Sequence, residues 1–165
     1  MSGHPTTESL KFFRDEINEV KTAMLTTYTA DKGFSSRPMG TAEVDEQGDI
    51  WFFTSEHSEK ASDISVENTV SLTYSDPKNH TYLSIMGEAE LVNDKAKMQQ
   101  LWNPFVKAFF PEGLEDPKLT LLKITPTDAE YWDGNSSSMV VLFNVLKAAV
   151  TGKKYDAGRH GKIAF

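Results

Sequence analysis

Ile50-Trp51-Phe52-Phe53-Thr54-Ser55-Glu56-His57-Ser58-Glu59-Lys60-Ala61-Ser62-Asp63-Ile64 is the stretch from which the architecture of this chain is read. Its first four residues are apolar or aromatic and predict a short buried strand. Three hydroxyls follow, at Thr54, Ser55 and Ser58. From Ser58 onward the spacing turns helical: Ala61 and Ile64 lie three apart, and Ser58 stands where an N-cap belongs. Lys60 falls in the first turn. Unpaired N–H groups of a first turn, the helix dipole and a lysine together suit an anion such as a phosphate. The same residues also describe a plain capped strand–helix connection with a solvated lysine.

Immediately upstream, Phe34 to Val44 reads as a strand interrupted by Pro38, and Asp45-Glu46-Gln47-Gly48-Asp49 as the hairpin turn that joins it to Ile50–Phe53. Proline cannot donate to a sheet ladder, so Pro38 marks an edge, a bulge or a place where a ligand replaces a neighbouring strand. Such a hairpin brings Arg37 towards Thr54–Lys60. Arg37 and Lys60 together would offset the charge of a phosphomonoester, about −1.5 to −2. An arginine on an exposed strand face is the alternative.

Further out, Leu10, Phe13, Ile17 and Val20 give Thr7–Val20 one apolar face, an amphipathic helix over a core. Ala23–Thr29 and Val70–Tyr74 are strands, with turns at Ala30–Gly33 and Asp76–Asn79. Thr81–Val92 is the longest strand candidate, with Gly87 at a bulge or beneath a closely approaching backbone. Asp94 caps a helix through Met98, Leu101 and Trp102. Pro104, Pro111 and Pro117 punctuate the next segment. Leu119–Trp132 is strand-like and divided by Pro126. Met139 to Val150 has helical spacing, with Gly152 as its C-cap, and the polar tail from Lys153 is expected to be mobile. About six strands joined mostly by short turns predict one domain over residues 1–165, a small antiparallel barrel with peripheral helices.

Composition narrows the function. The 165 residues carry a formal net charge of −7, with no run of lysine and arginine to offset it, which disfavours nucleic acid and anionic membranes. No cysteine is present, which removes disulfides, thiolate nucleophiles and cysteine-ligated metals and fits a reducing compartment. The four histidines are dispersed and lack metal-ligand spacing, so no metal site is expected. Glycine-rich dinucleotide and P-loop motifs are missing, as is a nucleophile elbow. No signal-peptide pattern opens the chain, and no apolar run would span a membrane, so a cytoplasmic protein is expected. A fold without catalytic motifs suits a protein whose cofactor carries the chemistry.

Ser36-Arg37-Pro38-Met39, then Trp51-Phe52-Phe53-Thr54-Ser55 with Ser58, Lys60, Asp63-Ile64 and Asn68, then Tyr74-Ser75-Asp76-Pro77, resemble the flavin-binding half of the pyridoxamine 5′-phosphate oxidase-like split barrels. Tyr82-Leu83-Ser84-Ile85 with Gly87 and Ala89, Leu101-Trp102-Asn103-Pro104, Phe110-Pro111-Glu112-Gly113, Leu121-Leu122-Lys123 and Glu130-Tyr131-Trp132-Asp133 resemble the bacterial general stress protein branch. The resemblance covers roughly Leu10 to Tyr155. It implies a mainly β fold, a six-stranded antiparallel split β-barrel of Greek-key type with flanking helices. It further implies a homodimer with FMN at the subunit interface. Arg37 and Lys60 would hold the phosphate, Thr54, Ser55 and Ser58 would donate hydrogen bonds with Phe53 beside them, and Pro38 and Met39 would lie along the isoalloxazine. Trp102, Phe109, Phe110 and Trp132 are candidates to cover the flavin, with core and dimer packing as the other use for them.

True pyridoxamine phosphate oxidases end in an arginine and a histidine one residue apart that hold the substrate. Here Arg159 and His160 are adjacent in a different context, which argues against that activity. The expectation is a flavin-dependent oxidoreductase acting on a small molecule that the sequence does not identify. A non-enzymatic FMN-binding or buffering stress protein, or a split barrel that binds haem or a deazaflavin, are the alternatives.

Overall fold

The computed structural model describes residues 6–134 and 159–165. The chain opens with α1 (Thr7–Val20), held at its start by Thr6, whose hydroxyl accepts from the Ser9 N–H at 3.1 Å. The apolar face read from the sequence is real: Phe13 and Ile17 are fully buried among the barrel side chains. Then come β1 (Thr22–Thr29), β2 (Gly33–Val44) and β3 (Ile50–Ser55), the short α2 (Glu59–Val66), and β4 (Thr69–Asp76) and β5 (Thr81–Val92). Two small helices, α3 (Lys95–Leu101) and α4 (Pro104–Phe109), and a 3₁₀ turn precede β6 (Leu119–Asp133); β7 (Arg159–Ala164) ends the chain.

The strands run antiparallel in the order β3-β2-β1-β4-β5-β6, and β3 also pairs with β6, so six strands close into a barrel. Three consecutive strands with a fourth returning beside the first make the Greek-key arrangement. Alternation explains the wall: Ala23, Leu25 and Thr27 on β1, Val70, Leu72 and Tyr74 on β4, and Leu83, Ile85 and Ala89 on β5 point inward. On β3, both faces are covered. Ile50 and Phe52 enter the barrel core, whereas Phe53 joins Met98, Val106, Leu119 and Leu121 in a second apolar cluster on the outside, beneath α3 and α4.

Two irregularities open the barrel. β2 pairs with β1 along Gly33–Gly40 but with β3 only from Thr41 to Val44, with a register shift between Thr41 and Glu43. Among the described residues, the stretch containing Arg37 and Pro38 therefore has a strand on one side only, an edge such as Pro38 allows. On β6, residues 119–124 pair with β3 and residues 128–133 with β7, while β5 runs along both. Pro126, buried, sits at the change of partners, where a missing N–H is tolerated. The proline divides the strand's partners without ending the strand, so β6, at 15 residues, is longer than the 12-residue β5 that the sequence ranked first. Gly87 is both bulge and close approach. The β5–β6 register shifts at Met86/Gly87, and a Cβ there would lie 2.8 Å from Ile124 Cγ2 and from the Thr125 carbonyl oxygen.

Two elements depart from expectation. The proline-punctuated segment contains α4, because Asn103 Oδ1 accepts from the N–H groups of Phe105 (2.9 Å) and Val106 (3.1 Å) and Pro104 occupies the first turn, where its missing N–H costs nothing. The last residues of the polar tail form β7, with His160 Nε2 2.6 Å from Glu130 Oε1 across the ladder. The helix expected over Met139–Val150 lies outside the described residues.

Candidate functional site

The strand–helix junction folds as its residues dictate. Ser58 caps α2, its hydroxyl accepting from the Ala61 N–H at 3.2 Å, and stands 3.4 Å from the hydroxyl of buried Thr54. Lys60, one residue into the helix, is half-buried. Its ammonium is pushed below the ordinary lysine range, first by burial and then by the positive charge of Arg37. Two cations from separate elements thus converge. Among the described residues no carboxylate or carbonyl partners Lys60.

Arg37 reaches this place from the singly paired part of β2. Its Nη2 donates to Thr27 Oγ1 at 2.8 Å and to the Ser35 carbonyl at 3.4 Å, and lies 3.6 Å from Asp63 Oδ2. Nη1 is buried and has no partner among the described residues. Asp63 is 3% exposed, takes Lys32 Nζ on Oδ1 at 2.9 Å and accepts from Thr27 Oγ1 on Oδ2 at 3.2 Å. The Lys32 hydrogen bond, then those of Thr27 and the charges of Lys32 and Arg37, hold the Asp63 carboxyl below the usual carboxylate range against its burial. Lys32 also approaches Glu59 at 3.6 Å. Three cations therefore face two carboxylates, and the surplus lies on the Arg37–Lys60 side. An orphaned guanidinium N–H beside a desolvated, unpaired ammonium is the chemistry of an anion site.

The remaining residues singled out from the sequence separate into groups. Ser55 is half-buried at the end of β3, opposite Leu119. Pro38 is exposed on the open edge of β2, whereas the Met39 side chain enters the barrel core, so only its backbone is available at that edge. Trp102 and Phe110 pack on Phe53, with ring centroids 5.7 and 6.4 Å away, and all three belong to the outer apolar cluster under α3 and α4. Trp132 stands elsewhere, on the β6–β7 ladder, stacked on His160 at 5.1 Å with an interplanar angle of 8°. Within one chain, then, Trp132 does not join Trp102 and Phe110.

Thr27, Lys32 and Asp63 escaped the sequence reading as cleft residues, since only the β1–β2 register and the seating of α2 bring them to Arg37. Phe105 escaped it too. It is 68% exposed, forms an edge-on pair with Phe109 at 5.3 Å, and lies 3.6 Å from where a Cβ of Gly40 would be, beside the open edge of β2. Its signal was the Asn103-Pro104 helix start, which puts Phe105 and Phe109 four apart on one face. Among the described residues no group of three or more His, Asp or Glu could hold a metal, and no helix is long and apolar enough to cross a membrane.

Comparison with known proteins agrees with this reading of the fold. A crystal structure of a candidate general stress protein 26 from Jannaschia sp. CCS1 superimposes with a TM-score of 0.78 at 25% identity, covering 97% of this chain and 100% of that one. The general stress FMN/FAD binding protein from Xanthomonas citri gives a TM-score of 0.66 at 30% identity over 78% of this chain and 89% of its own. Protein bli-3 of Neurospora crassa is 25% identical over 154 residues, 87% of this chain and 74% of that protein. The family model for pyridoxamine 5′-phosphate oxidase-like proteins matches residues 8–156. By its closed six-stranded barrel and by this match over most of its length, the chain belongs to the pyridoxamine 5′-phosphate oxidase-like family, in the company of its general stress proteins.

Proposed function

We propose that the protein binds FMN by its phosphate between Arg37 and Lys60 and, so loaded, is an oxidoreductase acting on a small molecule. One observation carries the binding: a buried guanidinium nitrogen beside a half-buried lysine, the one without a partner and the other without a counter-ion among the described residues. A phosphate supplies both with oxygens, and its negative charge restores the lysine's preference for the protonated form. The related Xanthomonas protein, described as FMN/FAD binding, points to a flavin as the bearer of that phosphate. The flavin, when bound, brings the electron-transfer chemistry itself. The chain's part is to anchor and orient it. Thr54 and Ser58 add hydroxyls at the phosphate end, and the open edge at Pro38–Gly40, flanked by Phe105, is the proposed seat of the ring.

A cytoplasmic homodimer belongs to the same proposal. Met24, Tyr28, Phe34 and Met86 are each at least 42% exposed. They stand on the outward side of β1, β2 and β5, where Tyr28, Phe34 and Met86 border a cleft of about 350 Å³. An apolar outer wall of this kind suits a second copy.

Titration of purified protein with FMN and with riboflavin tests the anchor. FMN is expected to bind at least tenfold more tightly, as loss of a charge-assisted contact implies. Equal affinities refute the phosphate assignment. Anaerobic mixing of the loaded protein with NADH or NADPH tests the oxidoreductase reading, and reduction no faster than that of free FMN assigns the protein to storage or sensing instead. A monomer at micromolar concentration by light scattering removes the dimer.

A further inference from the structure

We propose that Thr27 is a positioning residue for the phosphate site, a buried strut that holds the Arg37 guanidinium off Asp63 and leaves Nη1 for the ligand. The proposal rests on the phosphate-anchoring reading above. Thr27 is 1% exposed, and its hydroxyl sits between the two charged groups, accepting from Arg37 Nη2 at 2.8 Å and donating to Asp63 Oδ2 at 3.2 Å.

The direction of this relay cannot reverse. A guanidinium has no lone pair to offer, and an ionised carboxylate has no proton, so the threonine hydroxyl is locked as acceptor on one side and donor on the other. The carboxylate is itself pinned from behind, since Lys32 Nζ occupies Oδ1 at 2.9 Å. Lys32 thereby makes the closer ion pair with Asp63, and Arg37 meets the carboxylate only at 3.6 Å.

The distances show what the strut prevents. Arg37 Nη2 stands 3.6 Å from Asp63 Oδ2, beyond a good hydrogen bond. Arginine and carboxylate prefer to close into a two-pronged pair. Were Thr27 not between them, the guanidinium would drop onto Asp63 and turn its nitrogens inward. The hydroxyl diverts Nη2, the Ser35 carbonyl steadies it at 3.4 Å, and Nη1 remains buried without a partner among the described residues. Thr27 never touches the ligand in this account. It acts through Arg37.

The test uses the full chain and three variants, Thr27→Val, Thr27→Ser and Thr27→Ala, with FMN and riboflavin as probes. Valine matches threonine in shape and changes no formal charge, so its effect isolates the hydroxyl. Thr27→Val is expected to weaken FMN binding at least tenfold while leaving riboflavin binding within twofold, on the scale of a lost hydrogen bond to a charged group. Thr27→Ser, which keeps the hydroxyl, is expected to retain FMN affinity within about threefold of wild type by the same reasoning. Thr27→Ala removes the hydroxyl without steric bulk and is expected to repeat the valine result. FMN affinity unchanged in the valine and alanine variants overturns the proposal. So does a parallel loss of FMN and riboflavin, or a serine variant as weak as the valine one. Wild-type protein that takes up no FMN overturns the functional reading and this one together, a pattern distinct from a wild type that binds and variants that do not respond.

Discussion

Replacing Lys60 by methionine separates the cost of the cleft from its use. In the ligand-free protein the lysine is a burden. It is half-buried, repelled by Arg37 and unpartnered among the described residues, and its proton is correspondingly loosened. Methionine keeps the length of the stem and removes the charge. The ligand-free variant is therefore expected to melt no lower than wild type. With FMN the order inverts. Loss of one charge-assisted contact costs about 1.5–3 kcal/mol, or roughly 10- to 150-fold in Kd. At FMN of one hundred times the wild-type Kd, binding stabilises wild type by about 2.7 kcal/mol, and a tenfold weaker variant by only about 1.4 kcal/mol. For a chain of this size about 1 kcal/mol moves Tm by roughly 2–4 °C, so an FMN-induced upshift of about 5–11 °C in wild type should shrink to about 3–6 °C or less. Thermal melts with and without FMN read both arms. An FMN upshift in the variant equal to that of wild type refutes the anchor. A ligand-free variant that melts well below wild type refutes the claim that the lysine is held there at a cost.

Three further outcomes are expected. Gly87→Ala should lose about 1–3 kcal/mol in denaturant titration, because its Cβ meets Ile124 and the Thr125 backbone at 2.8 Å and a carbonyl of a paired strand has little room to retreat. Phe13→Ala should lose about 3–5 kcal/mol in the same assay, since this fully buried ring joins α1 to the barrel core and packs edge-on against Phe165 at 5.0 Å. Asp63 has a carboxyl pKa held below its unfolded value, so its contribution is fully present above the ordinary aspartate range near pH 4 and is lost as pH falls through the lower, folded value. Acid titration of stability should therefore be less steep below about pH 4 in Asp63→Asn than in wild type, and parallel curves would contradict that assignment.

Local signals made most of the barrel legible. The alternation of Val70–Tyr74, the threonine, tyrosine and aliphatic residues of Ala23–Thr29 and the apolar run of β3 each point to a strand, and burial alternates along β1, β4 and β5 as expected of a half-buried wall. Where the reading fell short, the deciding contact is distant in sequence. Residues 159–164 are polar and short, and become β7 only because residues 128–133 of β6 offer an edge. The extent of β6 was hidden because a proline inside a strand reads as a break until its partners are known to change there. The cleft divides in the same way. Arg37, Ser58 and Lys60 were visible through chemistry carried by a strand, a cap and a first helical turn. Thr27 and Asp63 look like an ordinary strand threonine and helix aspartate, and only the pairing of Thr27 with Ser35 and the seating of α2 give them a common task. For the aromatics, exposure and packing cannot be told apart in a sequence: Trp102 and Phe110 join the outer cluster, while Phe105 borders the open edge.

The surplus of positive charge at Arg37 and Lys60 belongs to a molecule whose formal charge is −7, and that contrast bears on how quickly a dianion arrives as well as on how firmly it stays. At a distance the phosphate meets the field of the whole acidic surface, which repels it. Only within the last few ångströms does the local pair of cations prevail. Dissolved salt screens exposed charges beyond roughly 8–10 Å at physiological strength but acts far less on a desolvated contact. Moderate salt therefore lowers the outer barrier before it weakens the inner well, visible as an association rate that rises with ionic strength where most phosphate sites show a fall.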